Sequence, residues 1–395
     1  MSKKNILILG GGYAGIIAAN RLARKKEDLQ ITLLTANPNF VEKIRNHQVI
    51  AGNLKKTHSI RDLLHKKVDL VLAKATKIEP QNNRVILENG EAISYDFLGY
   101  TPGMRSVNLK NLPGNYFSIV NPEDCSQLRK KMEKSSSPRV TVLGAGLTGI
   151  ETATEIAETY PHARVTLMDS GSVGKSFSSV GAEYIRKILS DLKIEVVEDS
   201  KAESLGEDHI QTSKGSFHFH DYCVTSVGFV ASDLGSKSGL PHYPNGQVIL
   251  DEYMQVPEYS NIIGAGDAVK PEGEQYSPLR MACATALPMG IYMAERISGL
   301  LGLKTSVGNT PFSMAYVIRC VSLGRNRGIV QSVQPDDVPV EKIWTGKMAA
   351  FIKETICKFT ILSLRMEKYF DFYPIPKAKQ EVVKKEEGLL ATNAK

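Results

Sequence analysis

A short apolar run cut off by spaced glycines constrains this chain more than any other stretch. Ile6-Leu7-Ile8-Leu9 runs straight into Gly10-Gly11-Gly12-Tyr13-Ala14-Gly15, and the alanine-rich segment Ile16 to Ala23 follows without a linker. The run is too short for a helix, the glycines are spaced G-x-G-x-x-G, and the segment behind them is amphipathic. The stretch therefore predicts strand, tight turn and helix. Gly10 allows the turn, Gly12 has no side chain to keep a pyrophosphate off the backbone, and Gly15 lets helix and strand pack closely. The helix N-terminus then faces the phosphates with unpaired N–H groups and a partial positive charge. Taken alone, such a loop also suits a plain glycine-rich turn.

The pattern recurs. Arg139 to Leu143 reads as a strand, Gly144-Ala145-Gly146-Leu147-Thr148-Gly149 as the loop and Ile150 to Tyr160 as the helix. The next strand, Arg164 to Met168, ends in Asp169, 25 residues after Gly144; the equivalent place in the first unit, 25 residues after Gly10, holds Thr35. An acid there accepts hydrogen bonds from ribose hydroxyls. The first unit offers only the uncharged Thr35 and Asn37, which suits a flavin better than NAD. Two loops and strand ends in one register predict two nucleotide sites.

At 395 residues the chain can bury two or three cores. The formal charge of +7 is spread along it in short clusters such as Lys66-Lys67 and Lys130-Lys131, which read as solvated helix ends, so no nucleic-acid partner is expected. The five cysteines are an odd number without a close pair, and Met1-Ser2-Lys3-Lys4 leads directly into a strand. With no apolar run of about 18 residues, these features point to reduced thiols and a cytoplasmic location. His58, His65, His218 and His220 lack ligand spacing, so no metal is expected.

Read as helix, Asn39 to Gln48 would place Lys43, His47 and Gly52 near the first loop, with Arg45 and His47 as flavin contacts; a surface helix is the alternative. Val68 to Val71, Arg84 to Leu87 and Ile93 to Phe97, with Asn89-Gly90 between the last two, predict an antiparallel layer with a hairpin. Helices are predicted over Glu123 to Lys134 and Val180 to Leu192, and an apolar run over Asp221 to Val227 ends in Gly228-Phe229. A strand at Asn261 to Ile263 leads to Gly264-Ala265-Gly266-Asp267, whose carboxylate can accept hydrogen bonds from a sugar-alcohol chain. Arg280 to Leu300 is helical and interrupted by Pro288.

These residues resemble the two-dinucleotide-binding flavoproteins, the FAD- and NAD(P)H-dependent pyridine nucleotide oxidoreductases. Four motifs carry the resemblance across residues 1 to about 300: Gly10 to Gly15, Thr101-Pro102-Gly103 where the family usually reads Ala-Thr-Gly, Gly144 to Glu151, and Gly264 to Asp267. It implies an α/β fold of two Rossmann-like dinucleotide-binding domains, the NAD domain inserted in the FAD domain, with a C-terminal α+β extension. The expected division is 1–112 and 241–306 for FAD, 113–240 for NAD(H), 307–376 for a C-terminal domain with an amphipathic helix, and 377–395 as a flexible tail.

The resemblance further implies that Gly10, Gly12, Gly15 and Asp267 hold FAD, with Tyr13, Ala14, Thr35, Asn37, Arg45, Thr101, Gly103 and Gly266 around it. Gly144, Gly146, Gly149 and Asp169 would hold NADH, and Gly228 is a further expected cofactor contact. Glu151 would lie near the nicotinamide, an N-terminal acid favouring the helix dipole being the other reading. Ala286 and Pro288 would stand close to the flavin ring. The chemistry implied is hydride transfer from NADH to flavin and electron transfer onward to a quinone or other small acceptor, as in type II NADH dehydrogenases and relatives of apoptosis-inducing factor. Disulfide reductases are excluded, because Glu42 to Gly52 contains no cysteine; sulfide:quinone reductases need cysteines facing the flavin, and Cys283 and Cys320 stand isolated in the sequence. Ala282 to Gly290 lacks the glutamines by which type II enzymes contact quinone. Two alternatives therefore stay open: a reductase of a soluble electron-transfer protein and a slowly turning-over redox-sensing flavoprotein.

Between Trp344 and Phe370, Met348, Ile352, Ile356, Phe359, Leu362, Met366 and Tyr369 recur at three and four, with Lys347, Lys353, Lys358, Arg365 and Lys368 opposite. Such a helix can lie peripherally on the inner face of the cell membrane, or pack on the FAD domain or across a homodimer. Ile361 and Leu364 fall on its polar side.

Overall fold

The computed structural model describes residues 3–25, 28–54, 57–106, 112–273 and 279–376. The expected tail at 377–395 lies outside the described residues. The strand before the first glycine loop, Lys4–Leu9, sits inside a six-stranded sheet, with Leu29–Thr35 and Phe97–Tyr100 parallel to it on either side. Tyr259–Gly264 extends the sheet beyond Phe97–Tyr100, so this layer is assembled from distant parts of the chain. Ile6, Leu7 and Ile8 are buried, the continuous apolar run that a strand covered on both faces requires. The helix Tyr13–Ala23 packs against the helix Cys283–Leu300 so closely that a Cβ at Gly290 would stand 2.5 Å from the Ala14 carbonyl oxygen.

The second unit forms a five-stranded parallel sheet in the order Tyr116–Ser118, Tyr222–Thr225, Arg139–Leu143, Arg164–Met168, Glu195–Val197. Its glycine loop leads into the helix Leu147–Thr159. An antiparallel sheet follows near the C-terminus, formed by Ile318–Ser322, Gly328–Val333 and Pro339–Thr345, and the helix Gly346–Met366 packs on it.

Three expectations change. Val68–Leu72 does not join the antiparallel layer; it pairs parallel with Leu29–Thr35 at the edge of the six-stranded sheet. Alternating side chains do not say which sheet supplies a short strand's backbone partners. The stretch Ile93 to Phe97 divides: Ala92–Ser94 closes the expected hairpin, whereas Phe97–Tyr100 enters the main sheet. Asp96 marks the break, accepting from Lys4 Nζ at 3.0 Å and from the Asn5 N–H at 2.8 Å. Third, Trp344 lies in a strand rather than in the helix, and the final helix is buried along the side of Lys353, Ile361 and Leu364, polar by its sequence pattern, while Lys347 and Lys358 of that side stay exposed. Ala349, Cys357, Ile361 and Leu364 are inside, while Met348 is 56% and Phe351 72% exposed. The helix turns this way because its neighbours need polar partners. Asn20 Nδ2 donates to the Leu364 carbonyl at 2.8 Å, and Lys353 reaches Glu151 at 3.0 Å.

Candidate active site

The two glycine loops repeat each other closely. A Cβ at Gly15 would fall 1.9 Å from the Gly10 carbonyl oxygen, and one at Gly149 would fall 1.7 Å from that of Gly144. Gly10 and Gly144 turn at φ +120° and +105°. Around Gly12 and Gly146, by contrast, an added Cβ meets nothing within 4 Å. The first and third glycines are thus required by the fold, and the middle ones leave space where a pyrophosphate can approach.

The repeat reaches further than the loops. Thr101 Oγ1 donates to the carbonyls of Leu9 and Gly10 at 3.0 and 3.2 Å, and Ser226 Oγ donates to those of Leu143 and Gly144 at 3.1 and 2.7 Å. Each hydroxyl is followed two residues on by a glycine in the left-handed region, Gly103 at φ +73° and Gly228 at φ +69°. Ser226-Val227-Gly228 is therefore the counterpart of Thr101-Pro102-Gly103, a match visible in the sequence and missed there.

Both units open on one cavity of about 880 Å³. Gly10, Gly12, Tyr13, Ala14, Thr35, Asn37, Thr101, Gly103, Gly266, Asp267 and Ala286 line it from the first unit; Gly146, Glu151 and Ser226 line it from the second. Gly15, Gly144 and Gly149 stand behind the wall as packing and turn positions.

Asp267 Oδ1 is buried on this wall and finds no hydrogen-bond partner among the described residues. Burial pushes the carboxyl up to about 6, partly offset by the ammonium of Lys43. Lys43 also lines the cavity and donates to the Met104 carbonyl at 2.7 Å. An orphaned carboxylate oxygen beside an open glycine cradle fits the hydroxyls and pyrophosphate of an FAD, and the second cradle fits a nicotinamide dinucleotide.

Several expected contacts lie elsewhere. Arg45 is not on the cavity wall: it is bound to Glu42 at 3.1 Å and to Glu354 at 2.9 and 3.0 Å, because a buried guanidinium needs carboxylates more than a flavin edge. Pro288 lies inside the helix Cys283–Leu300, behind Ala284 and Ala286, which do line the cavity. Gly228 sets the turn, and its neighbour Phe229 reaches the wall. Asp169 holds its own loop, accepting from the Ala145 N–H at 2.6 Å and the Gly171 N–H at 2.8 Å.

What the sequence reading missed gathers around Glu151. Lys353, in sequence only one of the basic residues opposite the apolar face, places Nζ 3.0 Å from Glu151 Oε1, and His47 Nδ1 lies 3.9 Å from Oε2. Burial works to raise the Glu151 carboxyl, but Lys353 and His47 outweigh it and hold the group below its usual range. Cys283, Cys320 and Cys357 line the same cavity, so the two cysteines isolated in sequence are neighbours of one site in space. Burial pushes the Cys283 thiol up to about 12 and raises the other two, which keeps them protonated.

Burial lowers His47 to about 4, against the pull of Glu151. In the unfolded chain a histidine protonates near 6.5, so between these values the unfolded state binds more protons. Stability present above about pH 6.5 is therefore lost as the pH falls toward 4, by roughly 3 kcal/mol at most. Urea unfolding at neutral and acid pH is expected to show a shallower loss for His47→Gln than for the unsubstituted protein; equal slopes would refute this role.

The parallel sheets, paired cradles and shared cavity define a two-dinucleotide-binding oxidoreductase. The chain belongs to the pyridine nucleotide-disulphide oxidoreductase family, which matches residues 4–290. It is similar to the NADH dehydrogenase-like protein YutJ of Bacillus subtilis, 23% identical over 272 residues, covering 67% of this chain and 76% of that protein. It is also similar to the type II NADH:quinone oxidoreductase of Staphylococcus haemolyticus, 25% identical over 399 residues, covering 90% and 94%. In fold it matches the sulfide:quinone oxidoreductase of Aquifex aeolicus with a TM-score of 0.79 at 20% identity, covering 95% and 97% of the two chains. As a member of this family the chain is a flavoprotein oxidoreductase that uses a pyridine nucleotide.

Proposed function

We propose that this protein takes hydride from NADH onto FAD and passes the electrons to a quinone or another small acceptor. The observation that carries this reading is the single cavity that both cradles share, lined by Gly12 and Asp267 from one side and by Gly146 and Glu151 from the other. In it Gly12, Thr35, Asn37 and Asp267 would hold FAD and Gly146 the nicotinamide nucleotide; Asp169 stands off the cavity wall, accepting from the Ala145 and Gly171 N–H groups, and would meet a ribose hydroxyl with its remaining lone pairs. A bound flavin supplies the hydride and electron transfer. The chain's own residues bind, orient and exclude water, with Glu151 fixed by Lys353 at the meeting point. The purified protein is expected to be yellow, with about one FAD per chain, and to oxidise NADH when menadione is supplied. A folded, colourless protein would sink the reading.

NADH is expected to be preferred to NADPH, because the Asp169 carboxylate accepts from ribose hydroxyls and repels a phosphate. Lys175 moderates this: its Nζ stands 2.9 Å from where a Cβ of Gly171 would lie, beside Asp169. We expect a ratio of kcat/KM of roughly tenfold, widened by Lys175→Met. A ratio favouring NADPH refutes the assignment.

The quinone is supported by the final helix. Lys353, Ile356 and Cys357 line the cavity, while Met348, Phe351, Phe359 and Leu362 face outward beside the exposed Lys347 and Lys358. Among the described residues no helix is long and apolar enough to cross a membrane. A basic amphipathic helix lying on an anionic surface would bring the cavity to a lipid-soluble acceptor. Sedimentation with anionic liposomes is expected at low salt and to weaken at high salt and in Phe351→Glu. Protein that stays in the supernatant at low salt favours a soluble acceptor instead.

A further inference from the structure

Arg280, Arg319 and Asp337 line the cavity but belong to neither glycine cradle. Arg280 precedes the helix Cys283–Leu300; Arg319 lies in the strand Ile318–Ser322, and Asp337 in the turn before Pro339–Thr345. Asp337 Oδ2 stands 3.0 Å from Arg280 Nε and 2.8 Å from Arg319 Nη2. One carboxylate thus serves two guanidinium groups, and among the described residues neither pairs with another. Both arginines are held in place: Arg280 lies 4.2 Å from the centre of the Tyr316 ring, and Arg319 lies 5.8 Å from that of Phe177 and donates to the Asp337 carbonyl at 3.2 Å.

Among the described residues this arrangement leaves Arg280 Nε, Arg319 Nε and Arg319 Nη1 buried without an aligned acceptor, and Asp337 Oδ1 without a donor. Arg319 is 7% exposed. A buried guanidinium with unused donors and half a counter-charge costs stability unless an anion meets it. The planar fork matches the oxygens of a carboxylate, sulfonate or phosphate. We propose that Arg280 and Arg319 bind an oxyanion carried by a small molecule in this cavity, either the electron acceptor or the pyridine nucleotide itself. Asp337 Oδ1 accepts from a hydroxyl of the same molecule.

Calorimetry on the oxidised protein tests this without turnover, using naphthalene sulfonate for the acceptor and ADP-ribose for the nucleotide. Arg319→Met is expected to weaken one of them by about tenfold to a hundredfold, the range for losing a hydrogen-bonded charge. Arg319→Lys, which keeps the charge and loses the fork, should fall between. Weaker sulfonate binding assigns the site to the acceptor, and weaker ADP-ribose binding assigns it to the nucleotide. Undiminished binding of both overturns the proposal. The acceptor assignment rests on the function proposed above, and turnover separates the two. Where the site takes the acceptor, the kcat/KM ratio of naphthoquinone sulfonate to menadione falls at least tenfold in Arg319→Met, whereas failure to oxidise NADH with any acceptor defeats the function and leaves the calorimetric result standing.

Discussion

Replacing Gly12 by valine is expected to give a folded protein without flavin. An added Cβ at this position meets nothing within 4 Å, so the chain itself has room for the side chain. That room is where the pyrophosphate would approach the helix N-terminus, and a branched side chain fills it. Flavin content should drop about tenfold or more, while circular dichroism stays that of the unsubstituted apoprotein. Gly146→Val should keep the flavin and lose its reduction by NADH. Gly15→Ala should behave differently from both, because its Cβ would stand 1.9 Å from the Gly10 carbonyl and the fold must shift. A yellow Gly12→Val protein would remove the first cradle from the flavin site.

Lys353→Met is expected to destabilise the protein by about 3–5 kcal/mol, the range for breaking a buried ion pair from one side. The Lys353 and Glu151 side chains are 15% and 7% exposed, so methionine would leave a buried carboxylate with the Ser322 N–H and hydroxyl at 3.1 and 3.2 Å and a neutral His47, but without a counter-charge. Adding Glu151→Gln should recover much of the loss, since the second change removes the stranded charge. The pH dependence follows in sign. Without Lys353 the carboxyl is raised by burial, its protonation relieves the penalty, and the deficit relative to the unsubstituted protein shrinks as the pH falls. Urea unfolding of the two single variants and the double variant measures this, and a loss under about 1 kcal/mol would mean that the pair is solvated.

Both cradles could be read from the chain before any folding was known. Their glycines act on atoms a few residues away, so spacing carries the geometry, and the recurrence at 144 to 149 announced the second nucleotide site. Asp267 was legible for the same reason, as an acid directly after a strand and a glycine turn. What stands opposite them was settled only when distant segments met. Arg45, a flavin contact by sequence, is bound to Glu354, Lys353 of the polar face is turned inward to Glu151, and the final helix, open to two placements in sequence, points its apolar face outward. Each choice was made by a charge far away in the chain: a buried ion must find its counter-ion, and helical periodicity records where a side chain points but not which partner waits there.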